Sequence, residues 1–450
     1  MDQRRVPLNI HLEEHLRNVS SPENLKINDQ INRFREICRR HGCDRPYHHF
    51  AFGQSPFPPP PSVIAALAAN ASKSGYLPTA GLPELREAIA AYYGHHFGID
   101  CEGGQVVVSP GSKEMIAMLL AVLQGPVIIL TPAWVSYLPQ AKILKKEVLS
   151  VRLRREDGFK LTPDLLKHAF KGFPSQQKVL ILNHPNNPTG VVYSESELKK
   201  LAEICRRNGV VVISDEIYAL TSFEPGQFTS MGKVYPEGTI VTGGLSKDRS
   251  CGGYRLGVGI FPKEPRQLMT DVLKYAGSTY SCVAAPIQFA ALSAYSMDDR
   301  IEEHISDCRK INSLVGRKTA SLLWAIAGVK TTTPHGGFYL YVDFNEQGEK
   351  FRRLGLKTCA EFCRDLLSVD HAALLPSNGL LLPDDDFSVR CSYVDYDGQA
   401  ALSNWRANPP SNENEEEEFF RTNCPLIVDG VKYIGHYISE IRKGKQPKHL

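Results

Sequence analysis

Five short runs, each apolar almost throughout and each ending in a polar cluster, constrain this chain more than any other feature. They are Gln105 to Ser109, Val127 to Leu130, Val179 to Leu182, Val210 to Ile213 and Thr239 to Val241. A strand with one wet face alternates apolar and polar residues. An unbroken apolar run is instead a strand buried on both faces, as in a parallel sheet sandwiched by helices. Helical patterns fall between the runs. Pro83 suits the first turn of a helix in which Leu85, Ala88, Ile89 and Tyr92 recur on one side. Lys113 to Leu123 reads as a second helix. Ser194 with Glu197 forms a capping box that opens a third, its Leu198, Leu201 and Cys205 facing one way and Asn208-Gly209 ending it. The alternation predicts an α/β large domain whose mostly parallel sheet is covered by helices. Ligands gather at the carboxyl ends of such strands, so the polar clusters after Ser109, Leu130, Leu182, Ile213 and Val241 mark the expected site.

Both ends of the chain read differently. Residues 1–60, closing on the stiff Phe57-Pro58-Pro59-Pro60-Pro61, are expected to join a smaller α+β domain formed by residues 311–450, leaving 61–310 as the large domain. Gly336 to Val342 and Ser388 to Ser392 are strand-like, and Val431, Ile434, Ile438 and Ile441 share one face of a final helix. The acidic stretch 408–423, with Pro409-Pro410 and Glu415 to Glu418, reads as a solvated, mobile insertion.

Bulk properties exclude several classes. With 52 basic and 49 acidic residues among 450, the chain lacks the charge footprint of a nucleic-acid or membrane-surface protein. Its longest apolar run, Met115 to Leu123, is too short to span a bilayer. Met1 to Leu16 carries no apolar signal region. Eleven irregularly spaced cysteines, an odd number, fit reduced thiols and a cytoplasmic protein. Lys448-His449-Leu450 suggests a peroxisomal address as the alternative. His48-His49, His95-His96 and Cys359 with Cys363 lack the second pair a zinc site needs, so no metal is expected.

The chemistry concentrates in Gly243-Gly244-Leu245-Ser246-Lys247-Asp248 and the following Gly252-Gly253-Tyr254-Arg255. An amine at the end of a buried strand can condense with an aldehyde, and a nearby guanidinium offers a fork of donors to a phosphate. A surface loop with ordinary basic residues would look similar. Two other motifs weigh against that: Asn186-Asn187-Pro188-Thr189-Gly190, and Ser214-Asp215-Glu216-Ile217-Tyr218.

In this order, the three motifs resemble the class I/II aminotransferases, pyridoxal-phosphate enzymes of fold type I, of the aspartate/aromatic aminotransferase kind. The resemblance extends to Ser74-Gly75-Tyr76, Gly81 to Ala88, Pro110-Gly111-Ser112-Lys113, Thr131-Pro132-Ala133-Trp134 and Arg390, spanning roughly 52 to 390. It implies a seven-stranded-type sheet and pyridoxal 5'-phosphate as cofactor. Lys247 would hold the cofactor and act as general base, and Asp215 would keep its ring nitrogen protonated. Asn187 and Tyr218 would hydrogen-bond its phenolic oxygen, with Trp134 stacked on the ring. Gly111, Ser112 and Lys113, opening a helix, would receive the phosphate with Arg255 and Ser246. Tyr76 would reach the phosphate held by a second subunit, implying a homodimer. Many relatives carry a serine where Gly244 stands, which removes one phosphate contact here. Arg390 and Gly53 would bind the substrate's α-carboxylate, with Asn187 and Trp134 beside it. The implied reaction moves an amino group from an L-amino acid to a 2-oxo acid such as 2-oxoglutarate, by a ping-pong route.

The alternative is an eliminating or cyclising lyase of the same fold, a C–S lyase or an enzyme like aminocyclopropane-carboxylate synthase, which Ser246-Lys247-Asp248 also resembles. A nicotinamide dehydrogenase lacks its Gly-x-Gly-x-x-Gly here, and Pro110-Gly111-Ser112-Lys113 lacks the glycine directly before lysine that a nucleotide P-loop requires. An inactive binding protein is disfavoured by the joint presence of Lys247, Asp215 and Arg390. The donor's side chain stays open.

Overall fold

The computed structural model describes residues 13–17, 19, 23–40, 42, 46–171 and 177–445, without the side chains of Asn24 and Cys38. Residues 1–12, Cys43 and the terminal Lys448-His449-Leu450 lie outside the described residues, so the expectations placed on them have no structural counterpart.

Seven strands build the large sheet: β1 (Val106–Ser109), β2 (Val127–Thr131), β3 (Val148–Arg152), β4 (Lys178–Asn183), β5 (Val210–Asp215), β6 (Thr239–Gly244) and β7 (Gly257–Ile260). Their order is β1-β7-β6-β5-β4-β2-β3. Every pairing is parallel except those of β7, which runs against both β1 and β6. The unbroken apolar runs are explained by the two faces they serve. Ile128, Leu130, Leu180, Leu182 and Val212 pack on Leu198 and Leu201 of the helix Glu195–Arg207. Their neighbours Val127, Ile129, Val179, Ile181 and Ile213 pack on Met115 and Leu119 of the helix Ser112–Val122. The capping box forms as expected, with Ser194 Oγ accepting from Glu197 N at 3.3 Å and Glu197 Oε2 accepting from Ser194 N at 2.7 Å. Two strands escape sequence reading. β3 lies at the sheet's edge and is only partly covered, while β7 alternates glycine with valine and isoleucine and reads as part of a turn.

A second, four-stranded antiparallel sheet comprises Lys330–Thr331, Tyr339–Asp343, Leu375–Pro376 and Ser388–Ser392. His48–His49 pairs in parallel with Ala372–Ala373. Phe50 and Phe57 share a core with Phe338, Val389 and Ile434, so the N-terminal segment is built into the C-terminal part. The helix Asp299–Trp324 is continuous through the expected division after residue 310. Its Ile301 and Ile305 belong to a large-sheet core, and its Ile311, Leu314 and Leu323 belong to the C-terminal core.

The stretch 408–423 corrects an expectation. Instead of a mobile insertion it contains the helix Glu413–Asn423, opened by Asn412, whose Oδ1 accepts from Glu415 N at 3.1 Å. Glutamates near a helix N-terminus oppose the positive end of its dipole, and Glu416 pairs with Arg317 at 3.0 Å. Phe419 and Phe420 turn inward, Phe419 meeting Trp405 edge-on at 5.4 Å. The acidic composition hid those two anchors. Nine cysteines with described side chains are free thiols. Among the described residues no helix is long and apolar enough to cross a membrane.

Phe420 is 1% exposed. Phe420→Ala is expected to cost about 3–5 kcal/mol of stability, whereas Glu418→Ala on the same helix should change it by no more than about 0.5 kcal/mol. Denaturant unfolding of both variants checks this.

Candidate active site

The strand ends converge as the sequence implied. A cavity of about 580 Å³ is lined by Ser112 and Lys113 after β1, Trp134 to Tyr137 after β2, Asn183 and Asn187 at and after β4, Asp215 at the tip of β5, and Ser246 and Lys247 after β6. Phe52, Gly53, Tyr339 and Arg390 close it from the chain's two ends.

Asp215 sits at the floor. Tyr137 Oη donates to its Oδ2 at 2.6 Å, and Ile217 N reaches Oδ1 at a long 3.4 Å. Burial raises its carboxyl to about 6, against the opposing pull of the Tyr137 hydrogen bond, the Ile217 amide and the Lys247 charge. Lys247 and Asp215 thus face one space and act on each other. Lys247 Nζ donates to the Gly53 carbonyl at 2.8 Å and lies 5.6 Å from the centre of the Tyr218 ring and 5.4 Å from that of Phe338.

Along one wall the polar side chains are linked. Asn187 Nδ2 donates to Tyr218 Oη at 3.5 Å, and Tyr218 Oη meets Tyr339 Oη at 2.8 Å. Burial, followed by the neighbouring Tyr339, holds the Tyr218 phenol well above its ordinary pKa. Arg390 Nη1 donates to Asn187 Oδ1 at 3.3 Å and Nη2 to the Ala51 carbonyl at 2.6 Å, with its guanidinium carbon 4.7 Å from the Tyr339 ring centre. Its Nε is buried without a partner.

The opposite end is cationic. No side chain caps the helix Ser112–Val122 at Gly111, which leaves its first amides available to an anion. Arg255 lies beside this helix start, donating to the carbonyls of Gly252 at 2.8 Å and Pro110 at 3.1 Å. A side chain at position 111 would strike the Arg255 guanidinium, and one at 257 would strike the Gly111 backbone. Glycine at both is what brings the two donor groups together. The absent serine at position 244 has a reason as well: Gly244 has φ +151°, and a Cβ there would press on the Leu256 carbonyl. Lys113 Nζ stands 5.1 Å from the Trp134 ring centre, and burial, with Arg255 and Lys247 nearby, lowers its pKa.

Of the residues singled out from sequence, Gly53, Ser112, Lys113, Trp134, Asn187, Asp215, Tyr218, Ser246, Lys247, Arg255 and Arg390 line one cavity, and Gly111 lies directly behind it. Tyr76 does not; it is 92% exposed. Tyr137, Asn183 and Tyr339 were missed. Tyr137 stands three residues after Trp134, at the start of the helix Tyr137–Ile143, and Asn183 ends an apolar strand. Tyr339 lies in a strand-like run in which nothing separates it from core residues.

Residues 46–395 match the family described as "Aminotransferase class I and II". The aspartate aminotransferase of Geobacillus stearothermophilus is 33% identical over 352 residues, covering 76% of this chain and 85% of that protein. A probable aspartate/prephenate aminotransferase of Aquifex aeolicus is 31% identical, covering 77% and 86%. The solved structure of the Thermus thermophilus aspartate aminotransferase with maleate shares the fold at a TM-score of 0.76 and 23% identity, over 94% of this chain and all of that one.

Burial raises the carboxyls of Asp215 to about 6 and Glu216 to about 7. In the unfolded chain both release their protons in the ordinary carboxylate range. The folded chain therefore binds more protons between roughly pH 4 and 7, and its stability without a ligand falls as pH rises through that window. Asp215→Asn, which keeps an acceptor for Tyr137, should raise the melting temperature of the cofactor-free protein at pH 7.5 by about 2 °C or more. The gain should vanish near pH 4. Thermal melts at the two pH values check it.

Proposed function

The chain belongs to the class I and II aminotransferases, and on that premise we propose that its cavity binds pyridoxal 5'-phosphate and transfers the amino group of a dicarboxylic L-amino acid to 2-oxoglutarate. One observation carries the reading: Lys247 and Asp215 face the same space, between the aromatic wall of Trp134 and the donor set of Arg255 and the Ser112 helix. The residues present fit the cofactor. Asp215 Oδ1 has only one long contact and is free to hold a ring nitrogen's proton. The glycine-cleared junction of Arg255 with an uncapped helix suits a phosphate.

When bound, the cofactor supplies an electron sink for the charge left when the substrate's Cα loses its proton. The chain's residues supply the rest. Arg390 takes the α-carboxylate through a planar fork, which sets both position and rotation. Lys247 Nζ, as a free amine facing the cavity, would take the proton from Cα as general base. Asp215, anchored by Tyr137, keeps its negative charge toward the ring nitrogen. Asn187 and Tyr218 would offer hydrogen bonds to the bound group, and Tyr339 holds Tyr218 in place. Donor and acceptor share one carboxylate fork and one lysine, so they occupy the site in turn, which gives ping-pong kinetics.

Lys113, which the resemblance placed with the phosphate donors, supplies in this reading the cation that a second carboxylate requires instead. Arg390 and Arg255 are committed to other groups, and the Lys113 ammonium projects into the cavity across Trp134. The named relatives are aspartate or aspartate/prephenate aminotransferases, which supports aspartate as donor. They are amino-group transferases and lend no support to the lyase alternative. A homodimer fits the exposure of Tyr76, whose large ring lies open to a second copy. The free thiols fit a reducing compartment such as the cytoplasm.

The purified protein is expected to turn yellow with pyridoxal phosphate, and borohydride should fix the label on Lys247, read by peptide mass. A protein that stays colourless overturns the cofactor assignment. Lys247→Ala should lower kcat by roughly 10²-fold or more. Lys113→Gln should lower kcat/KM for aspartate by about 10- to 100-fold, the worth of one charge-assisted hydrogen bond, and change that for alanine far less. Equal losses for both donors would remove Lys113 from dicarboxylate recognition.

A further inference from the structure

The two residues after Lys247 are a carboxylate and a guanidinium that neither line the cavity nor reach solvent. Asp248 is 8% and Arg249 1% exposed, and Arg249 Nη1 pairs with Asp248 Oδ1 at 2.9 Å. A buried ion pair of this kind is poor at stabilising a fold, because taking both ions out of water opposes their attraction. The surroundings show what the pair holds instead. The guanidinium carbon lies 4.6 Å from the Tyr92 ring centre and 4.8 Å from that of Tyr295. Arg249 Nε donates at 3.0 Å to the carbonyl of Ala294, the last residue of the helix Ala285–Ala294, where the helix dipole favours a cation. Tyr92 is itself tethered, its Oη donating to Glu302 at 3.2 Å.

The loop bearing Lys247 is therefore pinned on both sides. Upstream, Leu245 N donates to the Leu256 carbonyl at 3.3 Å and the Leu245 carbonyl accepts from Cys251 N at 2.9 Å. Downstream, Arg249 is fixed by two rings, one carbonyl and its own neighbour. Ser246 and Lys247 face the cavity while Asp248 and Arg249 are rooted in the protein behind it.

We propose that Arg249 is a positioning residue for the site lysine: its guanidinium, held between Tyr92 and Tyr295 and against the Ala294 carbonyl, fixes the backbone that delivers Lys247 Nζ into the cavity. A lysine at 249 would keep the charge but has no planar fork to fill the gap between two rings while meeting both Asp248 and Ala294. The inference rests on the cofactor reading above, and the test separates the two.

The full-length chain, freed of cofactor, is given pyridoxal phosphate, and covalent capture is followed by the borohydride-sensitive absorbance band. Binding of pyridoxamine phosphate, which has no aldehyde for the lysine to capture, is measured in parallel. Arg249→Lys and the double variant Asp248→Asn/Arg249→Met, which removes both buried charges together, are compared with the parent chain. Capture slowed at least tenfold, with pyridoxamine phosphate affinity within twofold and kcat lowered more than KM is raised, supports the proposal. Capture unchanged in both variants overturns it, as does a parallel loss of capture and pyridoxamine phosphate binding, which marks a merely structural role. The double variant decides if Arg249→Lys fails to fold. A parent chain that captures no pyridoxal phosphate defeats the cofactor reading instead, independently of Arg249.

Discussion

A carboxylate buried at the tip of a central strand is the constraint around which the rest is arranged. Asp215 is 4% exposed, and a charge so far from water carries a heavy desolvation cost unless something compensates it. The chain compensates only in part. Tyr137 satisfies one oxygen, and the other is left with a long contact to a backbone amide. A protein selected for stability alone would have placed an apolar residue there. The uncompensated oxygen is intelligible as half of an interaction whose other half arrives with a ligand. A polar chain from Tyr339 through Tyr218 and Asn187 to Arg390 lets side chains from both parts of the chain share one geometry.

Much of this was legible before any coordinates. Continuous apolar runs identified the covered sheet because adjacent residues of β2 and β4 serve opposite cores, and the polar residues ending those runs had to meet at one edge. What stayed hidden did so for physical reasons. β3 is an edge strand with one partner and partial cover, so its composition carries little signal. β7 is glycine-rich because its first residue abuts the Gly111 backbone, and glycine reads as a turn when its neighbours in space are unknown. Phe419 and Phe420 follow four glutamates, and charge outweighed the two buried rings. Tyr137 and Tyr339 gain their roles from partners distant in sequence, which no local pattern records.

The cationic end of the cavity shows how small residues shape a site built from large ones. Arg255 and the helix start at Ser112 are brought together by the lack of side chains at 111 and 257. The same crowding at Gly244 leaves no room for a hydroxyl-bearing side chain at that point of the loop. The donor set for an anion is thus fixed by steric exclusion as much as by the residues that supply hydrogen bonds.

The helix Asp299–Trp324 ties these parts together. Its first turns are embedded among residues of the large sheet's core and its later turns among those of the C-terminal core. Fraying it anywhere near the middle would strip apolar cover from both at once. The half that carries Lys247 and the half that carries Arg390 are therefore coupled in their melting, and heat should dismantle the chain in one cooperative event rather than shed the C-terminal half first.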